Sequence, residues 1–350
     1  MASAKSCCSP TRAPAPEGAD RPGGGPLRAR AAVRARTALE ADAAAPADAA
    51  SATGADPSAS PDVADMVTIP GGVFTMGCDR HEGHAADGEG PARAVSLRAF
   101  RLDRLAVTNA RFEGFVAATG YRTDAERQGW SFVFAGLLPD DFPETRGVAA
   151  APWWREVHGA DWRHPDGPHS SLIGRDRHPV VHVSHDDALA FCAWAGKRLP
   201  TEAEWERAAR GGAEGRRFPW GDEETSGGQA QCNVWQGVFP SDNHLLDGHY
   251  GLAPADSFRP NGYGLHNMAG NCWEWCADWY DTRWSAAMAK QAAPAPLADP
   301  EGPADGLERV MRGGSYLCHP SYCWRYRNAA RSAASPDSST GHIGFRCASS

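Results

Sequence analysis

The chain has 350 residues, a formal net charge of -8, 42% hydrophobic residues and 13 tryptophans, enough for one large core or two modest ones. Its 38 glycines and 27 prolines point to much irregular structure and few long elements. The acidic balance gives no support to nucleic-acid binding, which shows a basic face, and no run approaches the eighteen apolar residues of a membrane-crossing helix.

Residues 1–62 differ in kind from the rest. Arginines sit among Ala, Pro and Gly in residues 1–37, and residues 38–61 are almost wholly Ala, Asp, Pro, Ser, Thr and Gly. With no aromatic side chain to bury, this leader reads as disordered, and Cys7 and Cys8 within it as unimportant. It lacks the apolar stretch of a signal peptide, so a cytoplasmic protein is expected, although an Arg-rich, acid-poor start also suits an organelle-transit segment. The globular part is expected over 63–350.

Three capped helices are predicted next. Thr108 caps the first, with Phe112, Phe115 and Val116 on its apolar face and Gly120 at its end. Ser184 starts the second, with Asp186 and Asp187 in the first turn, Ala188, Phe191, Cys192 and Ala195 on one face, and Gly196 as the stop. Thr201 and Glu204 form the capping box of the third. From Gly211 to Ser350 few stretches are periodic over a helix length, so backbone groups there must be satisfied by side chains, waters or ions.

Of the 13 histidines, His164, His178 and His182 lie in Pro-rich or strand-like phrases and read as structural. There is no HExxH motif, no G-x-S-x-G elbow and no phosphate-binding loop outside the leader's Gly23 run. The segment GGSYLCHPSYCWRYRN, Gly313 to Asn328, is more informative. Cys318 and Cys323 are five apart, which is wrong for one helix face, and Pro320 between them favours a bent loop. Such a pair can form a disulfide, bind a soft metal or do redox chemistry. It lacks the spacing of a zinc site or a thioredoxin motif, and on spacing alone a structural disulfide is favoured.

The wording of that segment resembles the formylglycine-generating enzymes, the sulfatase-modifying factor family. The resemblance continues in IPGGVFTMG (Ile69 to Gly77), WRHPDGP (Trp162 to Pro168), HPVVHVS (His178 to Ser184) and AGKRLPTEAEWERAARGG (Ala195 to Gly212). FPWGDE (Phe218 to Glu223), NVWQGVFP (Asn233 to Pro240), NGYGLHNMAGNCWEW (Asn261 to Trp275) and GFRCA (Gly344 to Ala348) complete it. It runs in order from about Val67 to the C-terminus, and the paired cysteines single out the oxidase within a superfamily that includes non-enzymes.

The resemblance implies a single α+β domain of low regular secondary structure with a C-type lectin-like, sulfatase-modifying-factor fold. It implies a monomeric, copper-dependent oxidase that turns the cysteine of a Cys-X-Pro-X-Arg motif in an unfolded sulfatase into Cα-formylglycine, using dioxygen and an external reductant. Cys318 and Cys323 become Cu(I) ligands, a role that suits soft thiolates. Ser315 matches an active-site serine, and Trp273 is expected to wall the oxygen pocket. Trp153, Trp154 and Tyr322 are expected along the peptide groove, together with His342, which stands where the family often has asparagine. Calcium is implied at Asn267, Gly270, Cys272 and Glu274, where side-chain oxygens of Asn267 and Glu274 can converge with carbonyls. A second calcium is implied at Asn233, Val234, Asp247 and His249. Cys192 and Cys347 match a pair that secreted relatives join as a disulfide, and Ala209 and Asn328 occupy the places of a second such pair, which fits an intracellular relative. Cys78, Cys232, Cys272 and Cys276 read as core residues. Two alternatives carry different chemistry: an iron-binding sulfoxide synthase of the ergothioneine type, which would have a helical domain in front, and a non-catalytic binding module on the same fold.

Overall fold

The computed structural model describes residue 10, residues 65–292 and residues 294–350, so the expectations for the leader, including Cys7 and Cys8, lie outside the described residues. Short strands, few helices and long irregular connections make a mixed α+β body, as the glycine and proline content leads one to expect. Strand β1 (Met66–Ile69) pairs antiparallel with β4 (Phe100–Asp103). The last strand of the chain also joins β4, so the two ends of the described fold close on one sheet. Strands β2 (Gly72–Met76) and β3 (Arg93–Leu97) form an antiparallel pair.

Helix α1 (Asn109–Thr119) is capped by Thr108 and ends at Gly120 with φ of 66°, as predicted. A short α2 (Asp124–Gln128), with a Thr123/Glu126 capping box, was not predicted. Strands β5 (Trp130–Phe134), β6 (Gly147–Val148) and β7 (Ala151–His158) form the next sheet, in order β5-β7-β6. Ser184 caps α3 (His185–Trp194) and Thr201 caps α4 (Glu202–Ala209), each with a reciprocal capping box. Helices α1 and α3 meet through Phe112, Phe115 and Phe191, whose ring centroids lie 5.4–5.9 Å apart, and Phe345 closes on Phe191 at 5.4 Å. Each fully buried ring of this kind contributes about 1.5–3 kcal/mol.

Two small hairpins follow, β8 (Thr225–Ser226) with β9 (Gln229–Ala230), and β10 (Gly237–Val238) with β11 (Asp242–Asn243). The central sheet is built on β12 (Trp273–Trp279). Beyond it come α5 (Trp284–Ala292), β13 (Leu297–Ala298), which lies parallel to β3, and β14 (Arg309–Arg312). Strands β15 (Ser332–Ala334), β16 (Ile343–Gly344) and β17 (Ala348–Ser349) end the chain. The central order is β15-β14-β12-β16, with β14 antiparallel and β16 parallel to β12. Residues 313–331 leave this sheet at the end of β14 and return to it at β15, so the cysteine segment is a long excursion anchored at both ends.

Candidate active site

At the exit from β14, Gly313 and Gly314 adopt φ of 93° and 75°. A Cβ on Gly314 would stand 3.0 Å from the Tyr326 backbone, so the chain doubles back tightly there. The turn at His319 then closes the cysteines on each other: the amides of Tyr322, Cys323 and Trp324 all donate to the His319 carbonyl, at 3.0, 2.9 and 3.1 Å. Cys318 Sγ and Cys323 Sγ come to 3.1 Å, well beyond a disulfide bond of about 2.05 Å, so the two sulfurs are not joined. They are 2% and 1% exposed and share a core cluster with Trp273, Trp275 and Tyr326. Burial pushes the Cys318 thiol well above its usual range, and the neighbouring Cys323 adds to the shift. Two buried, soft sulfur donors converging in this way suit a monovalent soft ion such as Cu(I) far better than a hard cation.

Ser315 lies under the pair. Its amide donates to Cys318 Sγ at 3.4 Å, and its hydroxyl lies 3.0 Å from His342 Nδ1 and accepts from the Leu317 amide at 3.3 Å. Trp273 is wholly buried on β12, and its indole Nε1 has no hydrogen-bond partner among the described residues. That donor has been taken out of water without compensation, an arrangement that invites an oxygen-bearing ligand.

The four residues assigned to peptide contact divide into two pairs. Successive residues of a strand face opposite ways, so β7 sends Trp153 toward the surface and Trp154 into the core, where it is 0% exposed. Trp153 meets Tyr322 at 5.0 Å and Phe239 at 5.1 Å, and Phe239 stacks on Tyr322 at 4.3 Å. These three half-buried rings form one aromatic face beside the cysteine turn. Trp154 instead packs edge-on against His342, with centroids 4.5 Å apart, and His342 is 1% exposed. Both stand behind Ser315 rather than on the aromatic face. Phe239 is the residue that sequence reasoning missed: its signal was only its place in the NVWQGVFP phrase.

The stretch around Asn267 supports the cysteine segment directly. Gly270 donates to the Gly313 carbonyl at 2.8 Å, Tyr316 donates to that of Asn271 at 3.0 Å, and Asn271 donates to that of Asn233 at 2.8 Å. Asn267 Oδ1 is buried without a hydrogen-bond partner among the described residues, while its Nδ2 donates to Pro254 and Ala255 carbonyls. That orphaned oxygen, with the carbonyls of Gly270 and Cys272 nearby in the chain, fits an oxygen-ligated ion such as calcium. The Glu274 carboxylate, expected at the same ion, also accepts hydrogen bonds from protein donors. Arg346 grips both Glu274 oxygens at 2.6 and 2.7 Å, and Trp205 Nε1 adds a third bond at 2.7 Å.

At the second calcium position, Asp247 gathers its neighbours. Its oxygens accept from the amides of Val234 and His249 at 3.1 and 2.9 Å, and from Gln236 Nε2 at 2.8 Å. Asn233 turns its amide to the Gly251 carbonyl and to Asn271 Oδ1. Here both Asp247 oxygens already accept from N–H donors, whereas Asn267 Oδ1 accepts from none among the described residues.

Elsewhere, His182 is a structural histidine, with Nδ1 2.8 Å from Ser131 Oγ and Nε2 2.8 Å from the Pro165 carbonyl. Cys192 and Cys347 are buried thiols with sulfurs 3.6 Å apart. Among the described residues no group of three or more His, Cys, Asp or Glu side chains is arranged to hold a metal ion, and no helix is long and apolar enough to cross a membrane.

Compared with known proteins, residues 51–350 match the family described as the sulfatase-modifying factor enzyme 1-like domain. The formylglycine-generating enzyme of Streptomyces coelicolor is 56% identical over 294 residues, covering 83% of this chain and 91% of the relative. That of Mus musculus is 53% identical over 285 residues, covering 81% and 74%. An inactive C-alpha-formylglycine-generating enzyme 2 of Bos taurus is 42% identical over 290 residues, covering 81% and 88%. Among solved structures, PvdO from Pseudomonas aeruginosa superposes with a TM-score of 0.58 at 24% identity, over 81% of this chain and 93% of that one, which shows a shared fold.

Proposed function

Because the chain belongs to the sulfatase-modifying factor enzyme family, we propose that it converts the cysteine of a Cys-X-Pro-X-Arg motif in an unfolded sulfatase to Cα-formylglycine. It does so with dioxygen, an external reductant, and Cu(I) held by Cys318 and Cys323. An inactive relative is 42% identical, so membership alone does not separate an oxidase from a scaffold. The observation that carries the reading is the buried pair of unjoined cysteine sulfurs, 3.1 Å apart, beside an aromatic face.

Balanced by atoms, the substrate Cβ–S bond breaks and a Cβ–O bond forms. One Cβ hydrogen is removed, sulfur leaves as hydrogen sulfide, one oxygen atom enters the aldehyde and the other ends as water. The reductant supplies two electrons and the solvent two protons. Cu(I), when bound, supplies a soft centre for the substrate thiolate and for dioxygen chemistry. The chain's own residues do the rest. Trp153, Phe239 and Tyr322 offer flat, low-entropy surfaces on which an extended peptide can lie. The Ser315 hydroxyl is held by His342 and the Leu317 amide, while its own amide donates to Cys318 Sγ. The unpaired Trp273 N–H is a ready donor to an oxygen-bearing ligand, and the buried sulfurs lie where water is excluded.

The same reading takes Ca2+ at Asn267, Gly270, Cys272 and Glu274 and a second Ca2+ at Asn233, Val234, Asp247 and His249, a monomer, and the cytoplasm. Ala209 and Asn328, standing in place of a cysteine pair, suit the intracellular placement. The iron-binding alternative finds no histidine cluster among the described residues to support it.

The test is mass spectrometry of a Cys-X-Pro-X-Arg peptide incubated with the purified protein, Cu(I), a reductant and air, beside a Cys318→Ala control. Aldehyde from the intact protein alone is the expected result. No aldehyde from a protein that has bound copper would refute the substrate assignment, and neither aldehyde nor copper binding would favour the non-catalytic module.

A further inference from the structure

The stretch 78–91 lies far from the cysteine segment in sequence, yet three of its side chains reach it. His84 Nε2 lies 2.7 Å from the Cys323 carbonyl oxygen. Asp87 accepts from Arg325 Nε at 2.6 Å and from Nη2 at 3.2 Å. Glu89 accepts from both terminal nitrogens of Arg327 at 2.6 Å.

The Asp87 contact has a particular geometry. Its carboxylate occupies two of the three nitrogens of a planar, rigid guanidinium. The third, Nη1, is then directed at Cys323 Sγ, 3.9 Å away. Both side chains are buried, at 1% and 3% exposure, so solvent does not screen the charge. Asp87 is itself held without help from Arg325. Its carbonyl accepts from Tyr280 Oη at 3.1 Å and from Arg331 Nη1 at 3.3 Å. Next to it Gly88 has φ of 68°, and a Cβ there would stand 2.5 Å from the Thr282 carbonyl oxygen, so the turn is closed against backbone.

Two thiolates around one monovalent cation leave a net negative charge, and a buried net charge is costly unless an opposite charge stands beside it. We propose that Asp87 and Arg325 form a positioning pair, in which Asp87 aims the Arg325 guanidinium at Cys323 so that it compensates the charge of the Cu(I)-loaded dithiolate. This rests on the copper reading of the site. Arg325 acts through Cys323.

The experiment measures Cu(I) affinity of the reduced full-length chain, without air, by competition with a chromophoric Cu(I) chelator. It compares the intact protein with Arg325→Gln, Arg325→Lys and the double variant Asp87→Asn/Arg325→Gln, and follows thermal melting of each metal-free protein. The double variant removes both charges together, which avoids leaving a lone buried carboxylate and keeps the comparison open should the single variant not fold. Affinity is expected to fall at least tenfold in Arg325→Gln and in the double variant, with Arg325→Lys recovering part of the loss because it keeps the charge. A merely structural pair would lower the melting temperatures without separating Gln from Lys in affinity, and that result overturns the inference. Equal affinity of the intact protein and the Gln variants overturns it while leaving the copper reading in place. An intact protein that binds no Cu(I) overturns both.

Discussion

Arg312 ends β14 one residue before the Gly313–Gly314 turn, and its side chain is wholly buried. Nη1 donates to Glu202 Oε1 at 2.7 Å, while Nη2 donates to Glu206 Oε2 and to the Asn328 carbonyl, each at 2.6 Å. One guanidinium thus ties both ends of the cysteine segment to α4. Arg312→Met keeps the apolar stem and removes all three bonds. Glu202 retains Arg331 at 2.5 Å and Glu206 retains Arg210 at 2.5 Å, so neither carboxylate is left wholly alone. Breaking a buried pair from one side costs about 3–5 kcal/mol, and with these remaining partners the low end applies, about 3 kcal/mol. At about 2–4 °C for each kcal/mol in a fold of this size, the melting temperature should drop by about 6–12 °C.

The pH dependence has a definite sign. Burial alone would raise the Glu202 carboxyl, but Arg331 and Arg312 overcome it and hold the group at about 2 against an ordinary 4.5. A carboxylate depressed in the folded state contributes stability that is fully present above about pH 4.5 and is lost as the pH falls toward 2. In Arg312→Met that loss begins at higher pH. Thermal melts of both proteins at neutral pH and at about pH 4 would check the reasoning. A drop of less than about 2 °C at neutral pH, or parallel acid profiles, would refute it.

Trp153→Ala opens the aromatic face, and a loss of about 1.4 kcal/mol of peptide binding should raise KM about tenfold while kcat stays within about twofold. A fall in kcat at constant KM would place Trp153 in the chemistry instead. Added Ca2+ should raise the melting temperature of the intact protein, by about 2.7 kcal/mol of added stability at a hundredfold excess over Kd, and should leave Asn267→Ala unmoved; equal shifts would remove Asn267 from any calcium site. Burial and the Glu202 charge push the Asp278 carboxyl up to about 8 from 3.8. Its contribution to stability is therefore present below about pH 4 and lost as the pH rises through 8, so Asp278→Asn should flatten the melting profile between about pH 5 and 8. An unchanged slope counts against the buried, protonated carboxyl.

What the sequence made legible is what local chemistry decides. Thr108, Ser184 and Thr201 each satisfy amides a few residues away, so their helices can be read without knowing the rest of the fold. The cysteine turn was legible in the same way, from a five-residue spacing around Pro320. The partners of the buried charges were not. Asp87 and Arg325 are 238 residues apart, and no periodicity links them. Glu274 sits in a phrase rich in oxygen donors, which suggests a cation, and nothing in that phrase announces that Arg346 arrives from the last strands to grip the same carboxylate. The tryptophan pair on β7 shows the intermediate case: alternation requires that the two face opposite ways, but only the packed neighbours, Phe239 and Tyr322 on one side and His342 on the other, say which joins the aromatic face.

X-ray absorption at the copper edge, recorded on the reduced protein loaded with one equivalent of Cu(I), addresses the central claim most directly. Two sulfur neighbours are expected in the intact protein, with that signature lost in both Cys318→Ala and Cys323→Ala. Nitrogen or oxygen neighbours in the intact protein, or an unaltered sulfur signature when both cysteines are replaced, would contradict the assignment of this buried pair as the copper site.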